Sequence, residues 1–258
     1  MATALALVIV LAGCAGTPGE STAPSTPPAA PSADPTASHA SAEPTDAAPE
    51  VTVAPSAPEP SGWGGPATVD TSSWQAFTMP GGEAAFLHPP TWEVRDVIPF
   101  SPGTQGSSGS AEVYTDEDVH LLHLVLVNEP WSFDCAGPAP RSSVLHAEPL
   151  ESALATADGG ELATEVRFDA LGAIGSLTIS LTDGQMGEGA CALDTSAAVT
   201  PGDNGIVGVA FGTGSPGPGL LSPPPFASFS SASRALELVD QDLVAVAWAT
   251  VRSLEVTP

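Results

Sequence analysis

The chain has 258 residues, of which 30 are Asp or Glu and 5 are Arg, with no lysine, so its formal net charge is −25. Nucleic acid is excluded as a partner, because its binding relies on Lys and Arg to displace counterions from the phosphates. The missing lysine also rules out a Walker A phosphate loop, a pyridoxal Schiff base and a Ser-Lys dyad.

The chain opens "MATALALVIVLAGCAG". The apolar run from Ala2 to Gly13 is too short to cross about 30 Å of hydrocarbon, which takes about twenty helical residues, but it has the length of a signal-peptide core. "LAGC" at Leu11 to Cys14 resembles the lipobox of bacterial lipoproteins. That resemblance implies a diacylglycerol on the Cys14 thiol and cleavage just before it. Residues 1–13 are then a signal peptide, and the product is held by lipid on the outer face of the cell membrane. Two or more acyl chains give stable anchoring. No Lys or Arg precedes the run, although such signals carry a basic segment, so the natural start is expected upstream of Met1.

Residues 14–62 are almost entirely Pro, Ala, Ser, Thr, Gly and scattered acids. This composition buries too little apolar surface to offset its ordering entropy, so a disordered linker is expected, with Ser and Thr open to glycosylation.

Residues 63–258 read as a single globular domain. Strand candidates follow in order: "AAFLH", "WEVRDV", "VHLLHLVLV", "SVLHAE", "ELATEVRF", "SLTISL", "CALDTSAAV" and "IVGVAF". "ELATEVRF" alternates, with Leu162, Thr164, Val166 and Phe168 opposite Glu161, Glu165 and Arg167, and "SLTISL" repeats the pattern; both predict half-buried antiparallel strands. "VHLLHLVLV" is apolar on both faces and predicts a central strand. Turns are marked by "TDED", "ADGG" and "PGDNG", and "GSSGS" suits a loop. Near the C-terminus, Leu236, Val239, Leu243, Ala247, Thr250 or Val251, and Leu254 recur at helical spacing, with Ser231 or Ser233 able to cap one helix and Asp240 a second. The expected fold is α+β, an antiparallel sheet sandwich closed by one or two C-terminal helices.

"GGEAAFLHPPTWEV" resembles the opening hairpin of PsbP/LpqN-like exported domains, and "FASFSSASRALELVDQDLVAVAWATVRSLEV" their closing helix and last short strand. The resemblance implies a binding or accessory module of the cell envelope and transfers no functional residues.

Cys135 and Cys191 are expected to pair as a disulfide in an exported protein, worth about 4 kcal/mol in the loop-entropy model, with free thiols the alternative. His120 and His123 invite a metal reading, but residues three apart on a regular strand face opposite ways and cannot share an ion. His88 and His146 could approach either in space. Asp116, Glu117 and Asp118, with Asp183 and Glu188, carry oxygen ligands yet match no EF-hand, so solvated turns are expected. No cofactor, metal ligand set or catalytic residue is expected. Trp63, Trp74, Trp92, Trp131 and Trp248 are core anchors, of which one or two could line a pocket. The leading expectation is an anchored module that binds an envelope protein, glycan or small ligand. A carboxylate- or metal-dependent exported hydrolase and a structural envelope protein are the alternatives. A closed polar cleft joining two acids, or a His with acids, would favour the hydrolase, and a shallow apolar face with exposed tryptophan would favour binding.

Overall fold

The computed structural model describes residues 63–131, 140–152, 154–184, 196–214 and 225–257. Cys14, Cys135, Cys191 and Glu188, with the signal and linker segments, lie outside the described residues.

Among the described residues, eleven strands and two helices follow in chain order: β1 Gln75–Thr78, β2 Ala84–His88, β3 Glu93–Ile98, β4 Ser108–Tyr114, β5 His120–Val127, β6 Arg141–Pro149, β7 Ala163–Leu171, β8 Ile174–Thr182, β9 Ser196–Ala198, β10 Gly208–Gly212, α1 Ala232–Leu238, α2 Gln241–Arg252 and β11 Glu255–Val256. Every pairing is antiparallel. The large sheet runs β3-β4-β5-β10-β8-β7-β6, with β9 also beside β10, and a small sheet runs β1-β2-β11. The fold is α+β, with β5 central as its two apolar faces require.

The large sheet turns Leu122, Leu124, Leu126, Phe211, Ile179 and Val166 to one face, where all are buried. The small sheet and α2 cover that face. Phe86 of β2 meets Phe211 of β10 at 4.8 Å between ring centroids, which joins the two sheets. On α2, Val244, Ala247, Trp248 and Val251 are buried at the spacing of one helical face. Val239 breaks the helical run by turning extended, and Asp240 then caps α2 by accepting from the Asp242 and Leu243 amides. Of the two capping candidates for α1, Ser231 takes the role. β11 returns to pair with β2, so both ends of the domain meet in the small sheet.

Four features depart from the sequence reading. First, β2 and β3 do not form a hairpin. Pro89 and Pro90 interrupt the strand, the Trp92 amide donates to the Pro89 carbonyl in a turn, and the chain passes from the small sheet to the large one. Second, the end of "GSSGS" is strand: Ser108 to Ser110 belong to β4. A Cβ on Gly109 would stand 2.7 Å from that of Phe100, so a glycine that suggests a loop in fact admits a close neighbour. Third, β1 carries no expectation at all. Fourth, β7 and β8 are not half-buried. Every residue of β8 from Gly175 to Thr182 is buried, and Arg167 and Asp169 of β7 are 4% and 2% exposed. Their burial is possible because Arg167 Nε donates to Asp169 Oδ1 at 2.7 Å and Ser142 donates to the same oxygen, so neither charge is left alone.

Replacing Asp240→Ala removes the cap of α2 and is expected to lower stability by about 1 kcal/mol, whereas Asp240→Asn keeps most of it. Urea unfolding midpoints of the two variants test this.

Candidate functional site

The β4–β5 turn organises the chemistry. The Asp118 amide donates to the Thr115 carbonyl, closing a tight turn that exposes Asp116, Glu117 and Asp118. On one side of this turn lies a cleft of about 410 Å3. Trp92, Val119, Pro225 and Leu243 form its apolar wall, and Thr115, Asp116, Glu117 and Asp240 its polar part. The three acids are not equivalent, because Asp240 is committed to the α2 amides while Asp116 and Glu117 are free to meet solvent.

On the other face of the sheet, β4 and β5 bring together Glu112, Tyr114, His120 and His123. The sequence reading placed the two histidines on opposite faces, and the structure corrects it. Tyr114 sits opposite His120 but Val113 sits opposite Leu122, so Leu121 is an extra residue in a β-bulge. The bulge resets the alternation, and the two imidazoles approach to 6.0 Å between ring centroids. His120 stacks on Tyr114 at 5.2 Å, and the Tyr114 hydroxyl donates to Glu112 Oε2 at 2.6 Å. That oxygen lies 3.8 Å from His120 Nε2, which donates to the Leu122 carbonyl at 3.2 Å. Arg95 lies over the Tyr114 ring at 4.7 Å and pairs with Glu93 and Asp118.

The hydrogen bond to Glu112, followed by burial and neighbouring carboxylates, pushes the Tyr114 phenol up to about 12, so it remains a donor. Burial pulls His123 below the usual imidazole value, aided by His120 and opposed by Glu112. His123 Nδ1 is buried without a hydrogen-bond partner. Among the described residues, no three His, Cys, Asp or Glu side chains stand arranged to hold a metal ion as they are placed.

Farther along the same face lie the buried Arg167 and Asp169 with the half-buried Glu165. Arg167 Nη1 is 3.8 Å from Glu165 Oε2. Burial raises Glu165 above the usual carboxylate value, with Arg167 opposing and Asp169 adding to the rise.

The remaining candidates disperse. His88 is buried in the small sheet, its Nδ1 2.9 Å from the Pro89 carbonyl, and His146 sits on β6 at the far edge of the large sheet. Neither joins the β5 pair, since β10, β8 and β7 intervene between β5 and β6. His146 instead packs between Trp63 and Trp248, with Nε2 2.9 Å from Glu148. Asp183 accepts from the Ala198 amide. Trp92 and Trp248 are buried, while Trp63, Trp74 and Trp131 are partly exposed. Glu112 and Tyr114 were missed because β4 itself was missed; the alternation of "SAEVY" was the available signal.

Because the folded-state value of Glu165 is raised, the folded chain holds a proton that the unfolded chain releases first as pH rises through the ordinary value of 4.5. The stability that the protonated form contributes is therefore present at lower pH and lost as pH climbs toward the folded-state value. Glu165→Gln is expected to abolish this dependence, so that its stability relative to the parent grows as pH rises above the ordinary value of 4.5 in urea titrations.

Comparison of the chain with protein-family models, curated proteins and solved structures returned no match.

Proposed function

We propose that the chain is an exported, lipid-anchored binding module, carried on Cys14, with residues 14–62 as its tether and the cleft beside the β4–β5 turn as its ligand site. The observation that carries the binding reading is the cleft itself. Its volume of about 410 Å3 falls in the range of small-ligand pockets, and its wall is apolar and includes a tryptophan. The apolar wall supports a binder over a hydrolase: Trp92 is buried rather than exposed, and of the acids at the cleft Asp240 is committed to the α2 amides while Asp116 and Glu117 lie exposed on the turn.

Asp116 and Glu117 at the mouth, in a chain of net charge −25, select for a cationic group attached to an apolar body. The apolar part would rest on Val119, Leu243 and the edge of Trp92, with the positive group toward the turn. This also sets the kind of envelope partner that fits, a basic apolar side chain or an amine-bearing ligand.

Phenethylammonium is expected to bind about fivefold more tightly than its neutral analogue phenylethanol, the equivalent of about 1 kcal/mol for a partly exposed charge pair. Titration followed by tryptophan fluorescence measures both. Equal affinity would remove the charge selection, and no binding of either would remove the cleft as the site. The advantage should vanish in Asp116→Asn/Glu117→Gln.

Mass spectrometry of the mature chain from a bacterial membrane fraction tests the anchor. Loss of residues 1–13 and a diacylglyceryl mass on Cys14 are expected, and an intact leader with an unmodified thiol would defeat it.

A further inference from the structure

We propose that the groove between the strap of residues 66–71 and α2 binds a neutral saccharide. The groove lies along the C-terminal half of α2, where Trp248 and Arg252 line it, while the cleft meets α2 at its N-terminal end, so the proposal does not depend on the cleft's ligand.

The groove has a volume of about 370 Å3, and both of its walls are fixed in advance. Gly65 takes a φ of 88°, and a Cβ there would stand 2.7 Å from the His146 ring, so glycine lets the chain turn against that ring and run on along α2. Trp63 holds the start of the strap. Its Nε1 donates to Gln241 Oε1 at 3.2 Å, and its ring meets that of His146 edge-on at 6.2 Å. A turn holds the other end, with the Ser72 amide donating to Asp70 Oδ1 at 2.9 Å and the Trp74 amide to the Thr71 carbonyl at 3.0 Å. On the facing wall, Glu148 accepts from Arg252 Nη1 through one oxygen and lies 2.9 Å from His146 Nε2 through the other, and the Arg252 guanidinium stands 5.7 Å from the centre of the Trp248 ring. Walls held in place before a ligand arrives spare part of the ordering cost of binding.

The hydrogen-bonding groups of the groove are left open. Among the described residues no backbone hydrogen bond engages residues 66–70, and the hydroxyls of Thr68 and Thr71 make none. Arg252 gives Nη1 to Glu148 and keeps the remainder of its five-donor fork, with its side chain 29% exposed. Donors and acceptors therefore line the groove together, while Glu148 offsets the charge of Arg252. An anion would meet Glu148 in a chain of net charge −25, and a cation would meet Arg252. An uncharged ligand rich in hydroxyl and amide groups satisfies this lining and leaves no charge unpaired. Val69, Trp248 and Ala249 add apolar contact for the C–H groups of a sugar ring. An extended peptide fits less well. It would add as a strand, and between Pro66, which has no N–H, and the turn at Asp70 the strap offers only Ala67, Thr68 and Val69 to pair with it.

The test is calorimetric titration of the full chain, in mild detergent, with N,N′-diacetylchitobiose, with its deacetylated dication, with the hyaluronan disaccharide, which carries a carboxylate, and with N-acetyl-trialanine amide as an uncharged peptide. The neutral disaccharide is expected to bind about fivefold or more tightly than either charged one, and the peptide is expected not to saturate. Arg252→Lys keeps the charge and loses the fork, and Thr68→Val keeps the shape and loses the hydroxyl; each should weaken binding about fivefold, the equivalent of one hydrogen bond. On the unaltered chain, the disaccharide should shift the NMR signals of the Trp248 indole N–H and of Arg252 Nε–H, a readout that does not depend on the variants folding. Saturating phenethylammonium should leave its affinity unchanged, which separates the groove from the cleft. Failure of the neutral disaccharide to bind up to about 20 mM, tighter binding of a charged one, saturable binding of the peptide in its place, or shifts confined to the cleft would overturn the proposal.

Discussion

The large sheet can bury its apolar face only if something covers it, and Phe86 against Phe211 is the contact through which the cover is applied. An antiparallel sheet with one apolar face needs a second layer. Here that layer is split between a three-stranded sheet and α2, drawn from opposite ends of the domain. The ends are therefore bound together at β2. The Leu87 amide donates to Ser253 Oγ at 2.8 Å, and Thr257 Oγ1 donates to the Gly82 carbonyl at 3.0 Å. Ala245 and Ala247, both buried, keep α2 slim enough to lie close on the strands. Closure of the core and closure of the chain are thus one event.

The opposite face of the same sheet is also buried around β7 and β8, but with polar groups. Ser176, Thr178, Ser180 and Thr182 follow one another at alternate positions, opposite Leu177, Ile179 and Leu181. Small hydroxyl side chains make such a surface thin, and the Arg167–Asp169 pair supplies its charge. A buried pair of this kind is a weak source of net stability, since desolvation offsets the attraction. Its stronger effect is on register. Sliding β7 by one residue would carry Arg167 into the apolar layer opposite Leu177 or Ile179 and turn Phe168 out of it, a costly exchange.

Much of this architecture was legible. Strict alternation exposed β7 and β8, doubled apolar character marked β5 as central, and Asp240 announced the start of α2. What escaped was set by non-local contacts. β4 is rich in Gly and Ser and owes its strand state to pairing with β3 and β5 on both sides, and β1 is held by β2 alone. The burial of Arg167 depended on Asp169 and Ser142 arriving from adjacent strand positions, which a reading of amphipathic alternation assigns to solvent. For the site, Trp92 and the acids of the turn were named from the sequence, as were both histidines. Their grouping was not, because a period of two fails at a bulge. The trace it leaves is the pair Leu121–Leu122 between the histidines, one apolar residue more than alternation allows.

The edge strands show how that turn is held. β3 and β6 both lie at sheet edges and both contain a register shift, a device that discourages pairing with another chain. On β3 the irregularity falls between Arg95 and Ile98, where Asp96 takes a positive φ of 48°. Arg95, beside it, reaches across to Asp118 in the β4–β5 turn, itself at a φ of 62°, while Glu93 holds the same guanidinium from below. The ion pair is exposed and contributes little to stability. Its consequence is one of sorting. With Asp118 drawn to Arg95 and Asp240 to the amides of α2, the carboxylates left without a partner charge at the cleft are Asp116 and Glu117, and the turn that presents them is pinned from both the edge strand and the Thr115 backbone. A single loop thereby offers two acids toward the apolar cleft and, through the strands it joins, a carboxylate and two imidazoles toward the opposite face.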